Sequence, residues 1–502
     1  MGTANQMILN ALNNQSLTPA QLYSELYEAH KYARKNNESV TYPSNRSFTV
    51  EPNGPYIELG KQTDFNGCTI TVTGGTTGAS PMFLFAMDLR TAINGLFIDK
   101  EAINSGDFSN ISGFPSGDVM LIVKDSIPYT IYEPDNSFKN RSDIILVKDR
   151  QALNHPIAPY DNESLIEIEA YTIDRTEKSV KNLNFIRPYS SALLQHFRLL
   201  AIRYQDNLTI ENISVTTEAV NGITQFIHDS CFKITESTNV TMKDITIDKT
   251  YSRMTADYGY GIELNKVWNI TFNHIVATNP AWGVFGTNNV NTAYLVNCQL
   301  NRFDIHLYGK DITCENCTFT NDNEVSYPNT QHLINRYTAI FGFIRYVGCT
   351  FNHFVPIRID KEFQIYTNFD LYMENCTINL KDSRPYIIEP GRLNSSEPHK
   401  RYGLEKRNWP NLYIKSLSIV LPSNFPSNSN VYLFRLDTAP SSGMQADGIS
   451  WIKIVNAITV NKPIILQFCN YDVRLSKYLF RSYNGTEVYF SPNTTISSIS
   501  IT

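Results

Sequence analysis

The sequence predicts an all-β chain: a right-handed parallel β-helix of three sides, its first coil covered by an N-terminal helix. Three observations predict it. First, the segments Leu199 to Val215, Cys231 to Ile247 and Gly261 to Ala277 align without gaps. Each holds a short alternating strand, a turn, Asn-[LVI]-Thr-[IMF], a polar pair and a second alternating strand, and period-two alternation marks half-buried strands. Second, Ile213, Ile245, Ile275, Cys298, Cys317, Cys349, Cys376, Leu417 and Ala457 fall in one column, spaced 32, 30, 23, 19, 32, 27, 41 and 40 residues apart. That period, with turns of variable length, suits a solenoid whose coils pack only on their neighbours. Third, the residue before each column member is small and polar: Asn212, Asp244, His274, Asn297, Asn316, Asn375, Ser416 and Asn456, with Gly348 the exception.

Parallel coils place equivalent residues about 4.8 Å apart. Asparagine accepts turn conformations, and its amide bonds to the equivalent amide above and below. This asparagine ladder resembles that of the pectate-lyase-like and phage-tailspike-like parallel β-helices, over roughly residues 60 to 460. The resemblance concerns architecture and says little about activity. The column also explains the cysteines. Cys314 and Cys317 form a C-x-x-C pair, but no second pair follows at zinc-site spacing. They read as buried thiols acting as small hydrophobes, so no metal and no cofactor is expected.

At the N-terminus, Thr18-Pro19 supplies a helix cap followed by proline in the first turn. Leu22, Leu26, Ala29 and Ala33 then recur at helical spacing. The segment after it, Val40 to Val50, resembles the entry to pectate-lyase-like domains, in which such a helix covers the bare edge of the first coil. Residues 1–58 are therefore read as helix and cap, 59–460 as the β-helix, and 461–502 as C-terminal strands or cap. Residues near 100–165 and 381–411 carry little repeat signal and read as long loops or insertions.

A net charge of -5 gives no general attraction to nucleic acid. No segment approaches the roughly 18 uninterrupted apolar residues of a membrane span. Met1 to Asn10 has no basic or apolar signal-peptide region. An extracellular or periplasmic site reached after removal of a signal, or a place on a virus particle, is the expected location. The Asn-x-Ser/Thr triplets at Asn207, Asn239, Asn269, Asn316 and Asn375 read as by-products of the repeat.

Alternation also assigns an outer face. Ile262 and Leu264 point inward, which turns Glu263 outward. By the same rule Asp304 and His306 leave the core beside Ile305 and Leu307, and Arg358 and Asp360 beside Ile357 and Ile359. Lys233 falls in the Glu263 column one coil earlier. Glu263, Asp304, His306, Arg358 and Asp360 are the candidate catalytic residues. Lys233, Tyr258, Tyr260, Trp282 and Arg336 are the candidate substrate contacts, the aromatic rings being suited to sugar faces. A glycoside hydrolase needs two carboxyls about 5 to 9.5 Å apart, which neighbouring or alternate coils supply. A lyase needs a base and a cation that stabilises the enolate, roles open to His306 or Lys233 with Arg358. Charged columns also keep solenoid surfaces from aggregating. Neither the Gly-His-Gly element of polygalacturonase-like hydrolases nor the aspartate cluster of calcium-dependent pectate lyases is present.

Two functions fit. One is a polysaccharide-binding β-helix that cleaves its glycan as a lyase or glycoside hydrolase. The other is a non-catalytic structural or adhesive β-helix, such as a phage tail or tailspike component docking on a cell-surface glycan. Many tailspike β-helices are trimers, so the resemblance leaves a homotrimer or virion assembly open.

Overall fold

The computed structural model describes residues 2–73, 82–88, 90–132, 137–157, 159–160, 162, 164–189, 197–219, 231–248, 261–277, 285–300, 303–320, 335–352, 357–359, 368–380, 386–389, 411–426, 430–434, 452–460 and 465–467, at some strand positions through the backbone alone. The chain is a right-handed, three-sided parallel β-helix with an N-terminal cap. One coil illustrates the body. Within the strand Phe232–Asp248, residues 232–235 form side one, 240–243 side two and 245–248 side three. Each pairs in parallel with the next coil, as in Phe232↔Ile262, Val240↔Ile270 and Ile245↔Ile275. The apolar members of these pairs are fully buried and form one continuous core.

The corners are cut by single residues in the left-handed region. The first corner holds Glu236 and Asn239 in one coil, then Lys266 and Asn269 in the next. The second corner is the predicted ladder: Asn212, Asp244, His274, Asn297, Asn316, Gly348, Asn375 and Ser416 all have φ between 52 and 63°. Asn and Asp tolerate this conformation best after glycine. The five triplet asparagines adopt it too. Gly348 departs from the pattern for a steric reason, because a Cβ there would lie 2.6 Å from Oδ1 of Asn316.

The column runs as expected through Leu417, where one correction is needed. Leu417 pairs with Ile458, not with Ala457, because the register shifts by one between Lys415 and Leu417. Asn456 and Ala457 together occupy a corner that Ser416 alone makes one coil earlier. The described cysteines of the column, Cys298, Cys317, Cys349 and Cys376, are free and buried. Their thiols donate to backbone carbonyls, Cys317 to Glu315 at 3.4 Å for example. Burial pushes the Cys376 thiol up to about 11, so these are packing groups.

At the start of the chain, α1 (Ala4–Asn13) precedes α2 (Pro19–Asn36). Thr18 caps α2 in a reciprocal capping box with Gln21. Leu22, Leu26, Ala29 and Ala33 are buried as the spacing requires, joined by Tyr23 and His30. They share the main core with Tyr42, Phe65 and Phe85, so α2 lies over the first coil. α1 is capped by Thr3, which accepts from the Gln6 amide, and buries Ala4, Ile8 and Ala11 at helical spacing.

The weakly repetitive region is not loops. Between side one of the first full coil, Met82–Asp88, and the next coil strand, Lys178–Tyr189, the chain builds a five-stranded antiparallel sheet. Its strands in spatial order are Arg90–Ile93, Ile166–Ile173, Val119–Tyr132, Ser137–Lys148 and Gln151–Ala152. The run Val119 to Val123 is buried at every position because both faces are covered. Val119, Leu121 and Val123 pack on Phe108 and Phe114. Met120 and Ile122 pack on Tyr204 and Trp268, first-corner residues of the following coils. Further on, Tyr386–Glu389, within the stretch expected as a second insertion, continues side one by pairing Ile357↔Ile388. No helix among the described residues is long and apolar enough to cross a membrane.

Candidate functional site

Side one carries the candidate site. Ile262 and Leu264 are buried in the core and Glu263 faces outward between them. Pairing stacks Ala86, Ala201, Lys233, Glu263 and Gly286 in one register column. Within it, Nζ of Lys233 lies 2.7 Å from Oε1 of Glu263. A third residue joins them: Nη1 of Arg198 donates to Oε2 of Glu263 at 3.0 Å. The guanidinium also stands 5.4 Å from the centre of the Phe83 ring. Side-chain exposure is 12% for Arg198, 27% for Lys233 and 25% for Glu263, so all three charges are partly withdrawn from water. Two cations thus share one carboxylate, across three coils.

Alternation in the sequence hides Arg198. It has the same parity as Leu200 and Ile202, which are buried, and would be placed inside by that rule. Leu199 is buried as well, and the Leu199 and Leu200 amides both donate to the Cys231 carbonyl, so the alternation breaks there. The consecutive apolar pair Leu199-Leu200 is the signal of that break.

The same strands run from this group into the first corner, where the insertion docks. Lys266 and Glu236 pair there at 2.7 Å. Opposite them, the guanidinium of Arg90 lies 3.7 Å from the Tyr204 ring centre and 4.8 Å from that of Tyr171. The hydroxyl of Tyr171 donates to Glu169 at 2.7 Å, and Lys124 donates to the same carboxylate. The hydrogen bond from Lys124, then that from Tyr171, holds Glu169 below the usual carboxylate range. Nδ2 of Asn289 donates to the Ser142 carbonyl of the insertion at 3.1 Å. The insertion therefore borders the face that bears Glu263.

Asp304, His306, Arg336 and Arg358 lie on strands of later coils. Backbone register aligns Asp304 with Arg336, Arg336 with Arg358, and Arg358 with Glu389. His306 sits where the register shifts between Ile305 and Tyr308. The side chains of Asp304, His306, Arg336 and Arg358 lie outside the described residues, as do Tyr258, Tyr260, Trp282 and Asp360 altogether. Among the expected residues, the structure joins Lys233 to Glu263 by side-chain contact. No group of three or more His, Cys, Asp or Glu among the described residues is arranged to hold a metal ion.

No family model matches the sequence, and no curated protein matches it. Among solved structures, the chain is similar to the Gp54 tailspike of Acinetobacter baumannii bacteriophage AP22, in complex with A. baumannii capsular saccharide. The TM-score is 0.50 and the identity 10%, over 98% of this chain and 79% of that one. It is also similar to the tailspike protein gp49 from Pseudomonas phage LKA1, with TM-score 0.49 and 12% identity over 88% of this chain and 78% of that one. For the Pseudomonas phage phi297 tailspike gp61 the values are 0.45 and 12%, over 92% and 77%. At such identities the likeness concerns the fold, a parallel β-helix.

Proposed function

We propose that this chain is a polysaccharide-binding β-helix of a virion, and that side one meets the glycan across the coils of Arg198, Lys233 and Glu263. The observation that carries this reading is that charged group, held half-buried on a rigid stack of strands and bordered by a docked insertion. Rigid elements position such groups better than loops do. The AP22 tailspike's capsular saccharide supplies the ligand class for the proposal. A homotrimer on the virion belongs to the same proposal.

Cleavage is a further step. It assigns chemistry to Glu263, Asp304, His306, Arg358 and Asp360, with a carboxyl pair for hydrolysis or a base and a cation for β-elimination. One observation favours the non-catalytic, adhesive reading instead. A hydrolase needs one carboxyl to carry a proton to the leaving group, and Glu263 is engaged by two cations. Incubation with purified bacterial surface polysaccharides separates the cases. New reducing ends would mark a hydrolase, and unsaturated uronates absorbing in the near ultraviolet would mark a lyase. Retained binding with neither product would mark an adhesin, and binding to no polysaccharide would end the proposal.

A further inference from the structure

We infer that a cavity between the cap helix and the start of side one is a subsite for one neutral sugar unit. The inference extends the glycan-binding reading above, because this cavity lies at the cap end of the same face, and it names the ligand class of a site away from Glu263.

The cavity measures about 460 Å³, within the range of about 300–1,000 Å³ usual for small-ligand sites. Residues of α2 from Tyr27 to Lys35 form one wall, and Glu58, Lys61 and Asp174 contribute the others. Glu58 pairs with Ala86, Ala86 with Ala201, Ala201 with Lys233 and Lys233 with Glu263. One register column therefore joins the cavity to Glu263 in four steps, about 19 Å at the usual strand spacing. A polymer lying along the solenoid axis reaches both.

The lining supplies donors and acceptors in fixed pairs. Arg34 meets Glu58, and Lys61 meets Asp174 at 2.6 Å. Each partner keeps capacity beyond that bond, since an ammonium has three donors, a guanidinium five and a carboxylate about four acceptor sites. Burial raises the Asp174 pKa, but hydrogen bonds from Lys61 and Thr176 outweigh it and hold the carboxyl well below the usual carboxylate range. It stays an acceptor. Tyr27 adds a flat surface, because its ring packs against the main core and lines the cavity as well. Paired donors and acceptors beside an aromatic ring match the neighbouring hydroxyls and the apolar face of a sugar. The same pairing disfavours an ion. A phosphate would face Glu58, Asp174 and the carbonyl end of α2, and a metal cation would face Arg34 and Lys61. A hydroxyl joins either pair without breaking it.

Gly60 provides a steric test. A Cβ there would meet only the Glu38 carbonyl, at 3.5 Å, an ordinary contact. Gly60→Leu should occupy the cavity and leave its polar groups in place. Ligand-observed NMR titration of the full chain with neutral hexoses, N-acetylhexosamines and their disaccharides measures binding, with inorganic phosphate as the anionic probe. At least one sugar should bind, and more tightly than phosphate. Gly60→Leu, Tyr27→Ala and Asp174→Asn should each weaken that sugar about tenfold, the scale of one charge-assisted contact. Glu211→Gln, on side two, should leave it unchanged. The comparison of sugar with phosphate needs no variant, so it decides the ligand class even where a substitution disturbs the cap. Tighter binding of phosphate, sugar binding that persists in Gly60→Leu, or binding of no sugar would each overturn the inference. Polysaccharide binding retained beside any of these results would keep the glycan-binding reading, so the two fail separately.

Discussion

The second corner of the solenoid and the parts added to the solenoid handle polar side chains in opposite ways. At the second corner of the body, polar side chains meet their counterparts one coil away: Asn212 donates to Asn182 at 2.8 Å, and His274 meets Asp244 at 2.7 Å. These groups are partly or well exposed, and the same solution is repeated along the stack. The insertion uses a solution that occurs once. Arg141 and Asp143 pair at 2.8 Å with side chains only 4% and 3% exposed. Asp143 also accepts from the Tyr160 hydroxyl at 2.7 Å, and Arg141 donates to the Pro159 carbonyl at 3.1 Å. The cap is similar, for His30 is fully buried against the Tyr42 hydroxyl at 2.9 Å. Repetition spreads stability over many small, interchangeable contacts, whereas the added parts concentrate it in a few groups that nothing else replaces.

Substitutions sharpen this contrast, the largest effect falling in the insertion. Asp143→Ala removes the buried carboxylate that Arg141, the Tyr160 hydroxyl and the Ile157 amide all bond, and should destabilise the insertion by about 3–5 kcal/mol. Denaturant melts check this, and a loss under about 1 kcal/mol would contradict the contrast. The cap gives a pH effect. Burial lowers the His30 pKa from 6.5 to about 3, so the unfolded chain takes up a proton that the native chain refuses. Stability should be full above pH 6.5 and decline by a few kcal/mol as pH falls from there toward 3. In thermal melts at pH 7 and pH 4, His30→Gln should remove that share of the decline.

Effects in the body should be smaller. Gly348→Ala forces a side chain into φ +63° and against the Asn316 amide, at a cost of about 1–2 kcal/mol. Adding Asn316→Ala should recover the collision but not the backbone strain. Smallest, Asn212→Ala should cost about 1 kcal/mol by losing its ladder bond and favoured conformer, and Asn212→Gly less. A ladder substitution as damaging as Asp143→Ala would erase the distinction between the regions.

The periodic part of the molecule was readable because every coil restates the same constraint. Ile213, Ile245 and Ile275 announce a shared interior, and the left-handed corner before them calls for Asn, Asp or Gly in each turn. Thr18, Pro19 and the Leu22 to Ala33 spacing define the capping helix for local reasons. The region near 100–165 reads as loops or an insertion, and the insertion's sheet stays hidden because Val119 to Val123, buried on both faces, shows no alternation and its partners lie far along the chain. Of the site, Lys233 and Glu263 followed from register.

Sequence alone therefore determined the β-helix, its cap, the asparagine ladder and the column that holds Lys233 over Glu263, since each depends on patterns repeated at short range. Tertiary structure decided the rest. A break in the alternation at Leu199 leaves Arg198 bonded to Glu263, an extra corner residue sets Ile458 over Leu417, and the insertion folds back onto Tyr204 and Trp268. These outcomes depend on single departures from the repeat and on contacts between distant segments, which local periodicity does not encode.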